Sequence, residues 1–207
     1  MSLLDDIISH FERFPGVGIR QAKRFAFHVM TMKPEDRSEL AKLITSLRDS
    51  VSKCEHCRRY YTKDAADQGR RCRICSDPNR DQEKLLVVAR DVDIDAIERS
   101  RVYDGLYFVL GGMVPLLTPA ETDLLRGRAL KESIKNRLTS EARLEIILGF
   151  AVNPDGDNTA RYVEQLIASL ELSPQLKVSH LARGLSTGSE LEYADPDTIK
   201  EALEHRL

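Results

Sequence analysis

No cysteine occurs beyond residue 75, and neither an internal repeat nor a low-complexity tract interrupts the chain. No apolar run approaches the ~18 residues that a membrane-spanning helix requires. The first eleven residues also lack the uninterrupted apolar core of a signal peptide, because Asp5 and Asp6 fall where it would have to lie. The expectation is therefore a cytosolic protein whose thiols stay reduced, with no membrane partner. Net charge is nearly absent as well, at -2. What remains is an ordinary globular composition, 42% hydrophobic and 31% charged over 207 residues, which excludes a disordered chain and allows one good core plus a smaller accessory module.

The near-neutral total conceals an asymmetry. Residues 1-80 hold 16 Lys and Arg against 11 Asp and Glu, whereas residues 81-207 hold 15 against 22. A basic front joined to an acidic back is the arrangement expected if one part meets a polyanion and the other meets protein or a metal.

The four cysteines fall as two Cys-x-x-Cys pairs, Cys54 with Cys57 and Cys72 with Cys75. Two such pairs complete a tetrahedral all-sulfur shell, which suits structural zinc and leaves no open position for substrate. The 14 residues between the pairs are slightly fewer than the usual ribbon spacing of about 15 to 20. Disulfides would need an oxidising compartment. An iron-sulfur cluster on the same thiolates stays open, since ligand type alone does not separate it from zinc. Between Lys53 and Arg80, eight Lys and Arg outnumber four Asp and Glu, with Tyr60 and Tyr61 among them. Both a nucleic-acid-facing knuckle and a simple loop staple fit that complexion.

Apolar residues recur at helical spacing in Leu3, Leu4, Ile7, Ile8 and Phe11, and again in Ala22, Phe25, Ala26 and Val29. Between the two stripes lies Pro15-Gly16-Val17-Gly18, so the segment reads as helix, glycine hairpin, helix. Such a hairpin lets backbone approach a phosphate, and the free amides of the second helix start can bind the anion. Arg20, Lys23 and Arg24 stand at offsets of three and four on that helix and share one face. They are the candidate DNA-binding residues, suited to backbone rather than to base edges. A plain helix turn with a solvated basic face is the alternative. His28, between Phe27 and Val29, is expected to pack. Leu40, Leu43, Ile44, Leu47 and Val51 form a third amphipathic stripe, started at Pro34.

From Lys84 onward the pattern changes to short, β-rich, nearly continuous apolar runs, Leu85 to Ala89 and Leu106 to Leu110, with a third strand at Glu145 to Val152. These predict strands buried on both faces of a parallel sheet. Helices are predicted at Asp93 to Arg99, Thr122 to Asn136 and Thr159 to Leu170. The alternation implies an α/β core.

In their joint order these pieces resemble the bacterial recombination mediator family RecR over nearly the whole chain. The resemblance rests on the Pro-Gly-x-Gly hairpin followed by Arg24 to His28, and on the finger with Cys72-Arg73-Ile74-Cys75-Ser76-Asp77. It continues through Val87-Val88, Asp93, Ala96-Ile97-Glu98, Tyr107 to Gly112, Asn153-Pro154 and Thr159-Ala160. It ends at Ala182-Arg183-Gly184-Leu185, Gly188 and Leu191 to Asp195. It implies a multi-domain α/β protein: a helix-hairpin-helix region at 1-53, a four-cysteine zinc finger at 54-80, a Toprim domain at 81-172 and a C-terminal oligomerisation segment at 173-207. It further implies a ring-shaped homotetramer, or a dimer as its half, that clamps DNA and helps load a recombinase at gaps with RecO-like and RecF-like partners in the bacterial cytosol or nucleoid.

The resemblance places Arg20 and Arg24 on basic positions of the family and Lys23 where a neutral residue is common. A Toprim site holds magnesium with a glutamate after its first strand and an acidic pair after a later one. Here the first position is Ala89, and the later stretch is shortened to Asn153-Pro154-Asp155-Gly156-Asp157. Asp91, two residues on, is the candidate substitute for the missing glutamate, although a two-residue shift from a strand end normally redirects the side chain into the loop. Magnesium is expected to bind poorly and no catalysis is expected, which makes a small magnesium-dependent nuclease or primase the alternative reading. Asp155 and Asp157 become candidate contacts for a RecO-like partner, with an Asp-Gly turn in which Asp157 caps the next helix as the plainer reading. A zinc module that binds only protein is a third.

Overall fold

The computed structural model describes residues 2-63, 70-116, 125-138, 143-170, 176-181 and 198-200. The family-like stretch from Ala182 to Asp195 and the predicted helix start at Thr122 lie outside them. The chain divides into two compact units, Met1–Ser52 and Lys53–Leu207. Among the described residues no helix is long and apolar enough to cross a membrane.

The first unit is helical. Helix α1 (Leu3–Glu12) starts on a capping box in which the Asp5 N–H donates to Ser2 Oγ and the Asp5 carboxylate accepts from the Ser2 N–H. The Ser2 N–H, and then the Ser2 hydroxyl, donate to the Asp5 carboxylate and hold it below its ordinary range. Helix α2 (Ile19–Thr31) packs Ala22 and Ala26 against Ile8, with Leu4, Ile7, Phe11 and Val17 around them. Phe11 meets Phe14 and Phe25 edge to face at 5.7 and 5.8 Å. His28 does not pack. It is exposed beside a Phe27 that is itself 52% exposed, because the small residues Ala22 and Ala26 define the buried side of α2 and leave this side to solvent. Helix α3 (Pro34–Ser50) forms where its stripe predicts, yet it buries no residue, and Leu43, Ile44 and Leu47 are all more than half exposed.

In the second unit, strands β3 (Asp81–Val88), β4 (Gly105–Val109), β5 (Leu144–Gly149) and β6 (Leu176–His180) form one parallel sheet in the order β4-β3-β5-β6. Parallel neighbours need crossovers, and α5 (Asp91–Ser100), α6 (Gly127–Arg137) and α7 (Pro154–Ala168) occupy those intervals. The last four residues of β3 and all of β4 are buried, as a strand covered on both faces should be. Strand β6, from the C-terminal segment, hydrogen-bonds to β5 and extends the sheet.

Because the chain leaves β3 for β4 on one side and returns to β5 on the other, the carboxyl ends of β3 and β5 lie side by side, with Val88 opposite Gly149. The crevice of an α/β sheet forms at such a reversal. At the other end, Arg80 donates to both oxygens of Glu98, which also accepts from Tyr107 Oη at 2.6 Å. Burial raises the Glu98 carboxyl, but the hydrogen bonds from Arg80 and Tyr107 outweigh it and hold the group below its ordinary value.

Candidate functional site: the basic hairpin and the four-cysteine centre

The hairpin is built by one glycine that must be left-handed and one that opens a helix. Gly16 has φ +75°, a conformation a side chain would strain, and Gly18 is the N-cap of α2 with no side-chain cap. A Cβ at either position would meet nothing within 4 Å, so the backbone here faces open space. The Gln21 and Ala22 N–H groups donate to the Gly18 carbonyl, whereas those of Ile19 and Arg20 find no backbone acceptor among the described residues. Arg20, Lys23 and Arg24 are exposed on the same helix. None of the three forms an ion pair among the described residues. Two open amides, a helix N-terminus and three unpaired cations make an anion-facing surface with no base-reading element.

The four cysteines converge. Their Sγ atoms all lie within 4.8 Å of one another, against about 3.8 Å between sulfurs bound at 2.3 Å around a tetrahedral zinc. Cys57 and Cys72 Sγ are 3.5 Å apart, and the Cys72 N–H donates to Cys54 Sγ at 3.3 Å. Local geometry produces the first knuckle: the Arg58 N–H returns to the Cys54 carbonyl, and Arg58 takes φ 63° to complete the turn. The second pair sits at the start of the single-turn helix α4 (Arg73–Ser76), whose N-cap is Cys72.

Crowded sulfurs cannot all ionise without a cation among them. Hydrogen bonds from Cys57, Cys72 and Cys75 drive the Cys54 thiol down, and bonding to Cys54 pushes those of Cys57 and Cys75 up. Cys72 settles at about 7, raised by Cys54 and lowered by Cys57 and Cys75. A bound ion would take the place of the shared protons, so the residues present fit a metal ion.

The knuckle is fastened to the sheet. Strand β4 is an edge strand, and its outer edge is covered because the Val109 N–H donates to the Cys57 carbonyl at 2.8 Å. Arg126 Nη1 donates to the Arg58 carbonyl at 2.7 Å and to that of Val109 at 3.2 Å, with its guanidinium 5.9 Å from the Tyr60 ring centroid. The Tyr60 N–H, from the short ribbon of β1 (Val51–Lys53) and β2 (Tyr60–Thr62), donates to Asp91 Oδ1 at 2.6 Å. Sequence reasoning passes over Arg126. Its only signal is an Arg-Gly-Arg run at 126-128, which says nothing about what it reaches.

Ala89 follows β3 and is 4% exposed, while Asp155 and Asp157 follow β5 at the same carboxyl edge. The tight Asp-Gly turn expected between them is absent. Helix α7 begins at Pro154, five residues before the predicted Thr159, and the cap is Asn153, whose Oδ1 accepts the Gly156 N–H at 2.8 Å. Asp155 and Asp157 lie in the first turn, where carboxylates suit the helix dipole. Gly156 is there for space, since a Cβ would lie 1.8 Å from the Ala151 carbonyl oxygen. Asp155 Oδ1 accepts the Leu116 N–H at 2.9 Å, and Thr159 Oγ1 accepts that of Val114 at 2.8 Å, so this turn pins the segment after β4.

These features define a class: a glycine hairpin between helices, with a basic second helix, on a chain whose four-cysteine centre is fastened to a parallel α/β sheet. Comparison with known families makes the class specific. Residues 4–48 match the family model for the RecR helix-hairpin-helix, and residues 184–206 match that for the RecR C-terminal region. Curated proteins named "Recombination protein RecR" align over 203 residues, 98% of this chain. One from Mycobacterium sp. (strain KMS) is 36% identical over 96% of its own length, and one from Prochlorococcus marinus (strain MIT 9312) is 35% identical over 94%. The chain belongs to the RecR family of recombination proteins.

Proposed function

We propose that the protein is a non-catalytic, DNA-binding mediator of recombinational repair, which assembles as a ring or clamp and helps load a recombinase at gapped DNA. The observation that carries this reading is the hairpin: Arg20, Lys23 and Arg24 unpaired and exposed beside the open amides of α2, in a chain of the RecR family. Contact with phosphates alone gives affinity without sequence preference. The four thiolates hold a structural zinc ion, which closes the finger and supplies no catalysis. Residues 81-172 are the Toprim module and 173-207 the oligomerisation segment of a cytoplasmic homotetramer, or of a dimer that is its half. The acidic first turn of α7, with Asp155 and Asp157, is the contact for a RecO-like partner, and a RecF-like protein joins the same assembly.

Non-catalytic action is supported by how the carboxylates are spent. The position after β3 is an alanine, Asp91 accepts from Tyr60, and one oxygen of Asp155 is engaged by Leu116. Magnesium would lack the first of its three carboxylates, so it is not part of the proposed mechanism.

The test is the salt dependence of binding to gapped DNA, comparing the native protein with the Arg20→Glu, Arg24→Glu variant and checking oligomer size for both. Two phosphates per subunit in a tetramer give a slope of log K against log salt of at most about -7. The variant is expected to lose this hairpin contribution to the slope. Native protein that assembles but shows no salt-dependent binding would overturn the reading.

A further inference from the structure

The seam between the cysteine knuckle and α6 collects more positive charge than the acidic groups of its described lining balance. Two cavities of about 510 and 480 Å³ lie along it and share Arg58, Ala129 and Glu132, so they are two reaches of one trench. Its walls carry Lys53, Arg58, Arg71, Arg126, Arg128 and Arg137. None of the six forms an ion pair among the described residues. The acidic lining is Glu132 and Glu55, and Glu55 is engaged by Arg70 at 3.1 Å. The floor is one face of α6, with Ala129, Glu132, Ser133 and Asn136 at helical offsets. An 11-residue helix gives the trench a length of about 16 Å.

Two of the guanidiniums are partly sunk in the trench wall. The Nε atoms of Arg58 and Arg137 are buried without a hydrogen-bond partner, although buried polar groups normally have one. Aromatic surface accompanies the cations: Tyr60, 54% exposed, lies under the Arg126 guanidinium, and Tyr162 lines the second cavity. A cationic groove of this length with a tyrosine on its wall is the pattern that holds an unpaired nucleic-acid strand, phosphates on the cations and a base against the ring.

We propose that the trench between the knuckle and α6 carries a single strand of nucleic acid, as a binding surface separate from the hairpin. The proposal rests on the DNA-binding reading above and specifies the form of DNA this second surface takes. Its phosphates lie on Arg58, Arg71, Arg128 and Arg137. A duplex has no base face to offer the trench, because its bases are already stacked, so the trench favours the unpaired strand.

The experiment uses the full chain with its metal, and measures binding of a labelled oligothymidylate and of a duplex of equal length as a function of salt. The Arg71→Glu, Arg128→Glu variant changes two exposed side chains. It is expected to reduce the single-strand salt slope by about 1.4 per subunit and to leave duplex binding within about twofold of native. Arg128→Glu alone, away from the cysteines, is expected to remove about half of that change, and unaltered zinc content excludes loss of the finger. Strands carrying 4-thiothymidine are expected to crosslink within residues 53-60 and 126-137. If the trench variant binds single strands as the native protein does, or crosslinks fall only in residues 14-24, the trench proposal fails and the hairpin reading stands. If native protein binds neither probe, both fail. Displacement of the strand by polyglutamate at lower concentration than by unlabelled oligothymidylate would make the trench a surface for acidic protein and overturn the proposal.

Discussion

Three single residues show how a side chain, or its absence, is decided by what lies opposite. Arg126 ties the knuckle to the sheet edge through two carbonyls that lie 68 and 17 residues away in the chain. Asp91 accepts the amide of Tyr60 on one carboxylate oxygen, which ties the start of α5 to the ribbon. Gly156 is fixed by the Ala151 carbonyl, which is backbone and cannot move aside. Gly156→Ala is therefore expected to cost about 3 kcal/mol, because overpacking against backbone has no cheap relief. Gly18→Ala, which meets nothing within 4 Å, is expected to cost at most about 1 kcal/mol through poorer capping. Urea denaturation of the two variants gives the comparison, and equal costs would show that the α7 start relaxes freely.

Among the elements, α3 and α6 make the sharpest contrast. Both carry apolar stripes of helical period. Helix α6 buries Leu130 and Ile134 completely in the main core, whereas α3 leaves Leu43, Ile44 and Leu47 in solvent. Periodicity states that a helix has an apolar face, not whether another element of the same chain covers it. Leu130→Ala is expected to cost about 2–5 kcal/mol through the cavity it leaves. Leu43→Ala is expected to cost less than about 0.5 kcal/mol, at concentrations where the protein is a monomer. Thermal or denaturant unfolding of the two variants tests this, and a comparable loss at Leu43 would show that α3 is covered within the protomer.

On the scale of the whole molecule, the second unit joins a finger with almost no apolar core to a sheet that has a large one. Cys54, Cys57 and Cys72 are themselves part of the buried cluster, and what surrounds them is a three-residue ribbon and a single helical turn. Apparent binding energies for structural zinc are about 10–16 kcal/mol, more than the stability of a typical domain, so a zinc ion on these four cysteines would be enough to hold the finger in place. Chelation is expected to release hydrogen-exchange protection at the amides of Val109 and Tyr60, whose acceptors are Cys57 and Asp91, while β5 amides keep theirs. Unchanged protection at Val109 would mean that the finger stays docked without metal.

The sequence by itself determined the hairpin, the cysteine quartet and the parallel α/β alternation, because each is written in spacings of a few residues. Two glycines fix a turn, two Cys-x-x-Cys pairs fix a ligand set, and continuous apolar runs fix strands covered on both faces. Asn153 and Pro154 are a local helix start that was already written in the chain, whereas tertiary packing decided that His28 faces solvent and that α3 stays bare. That packing alone also gathered Lys53, Arg58, Arg71, Arg126, Arg128 and Arg137 along one trench. These outcomes depend on contacts between residues dozens of positions apart. Arg126 with Arg58 and Asp91 with Tyr60 are brought together by strand order and register, and no local pattern encodes which charges will meet once the sheet has formed.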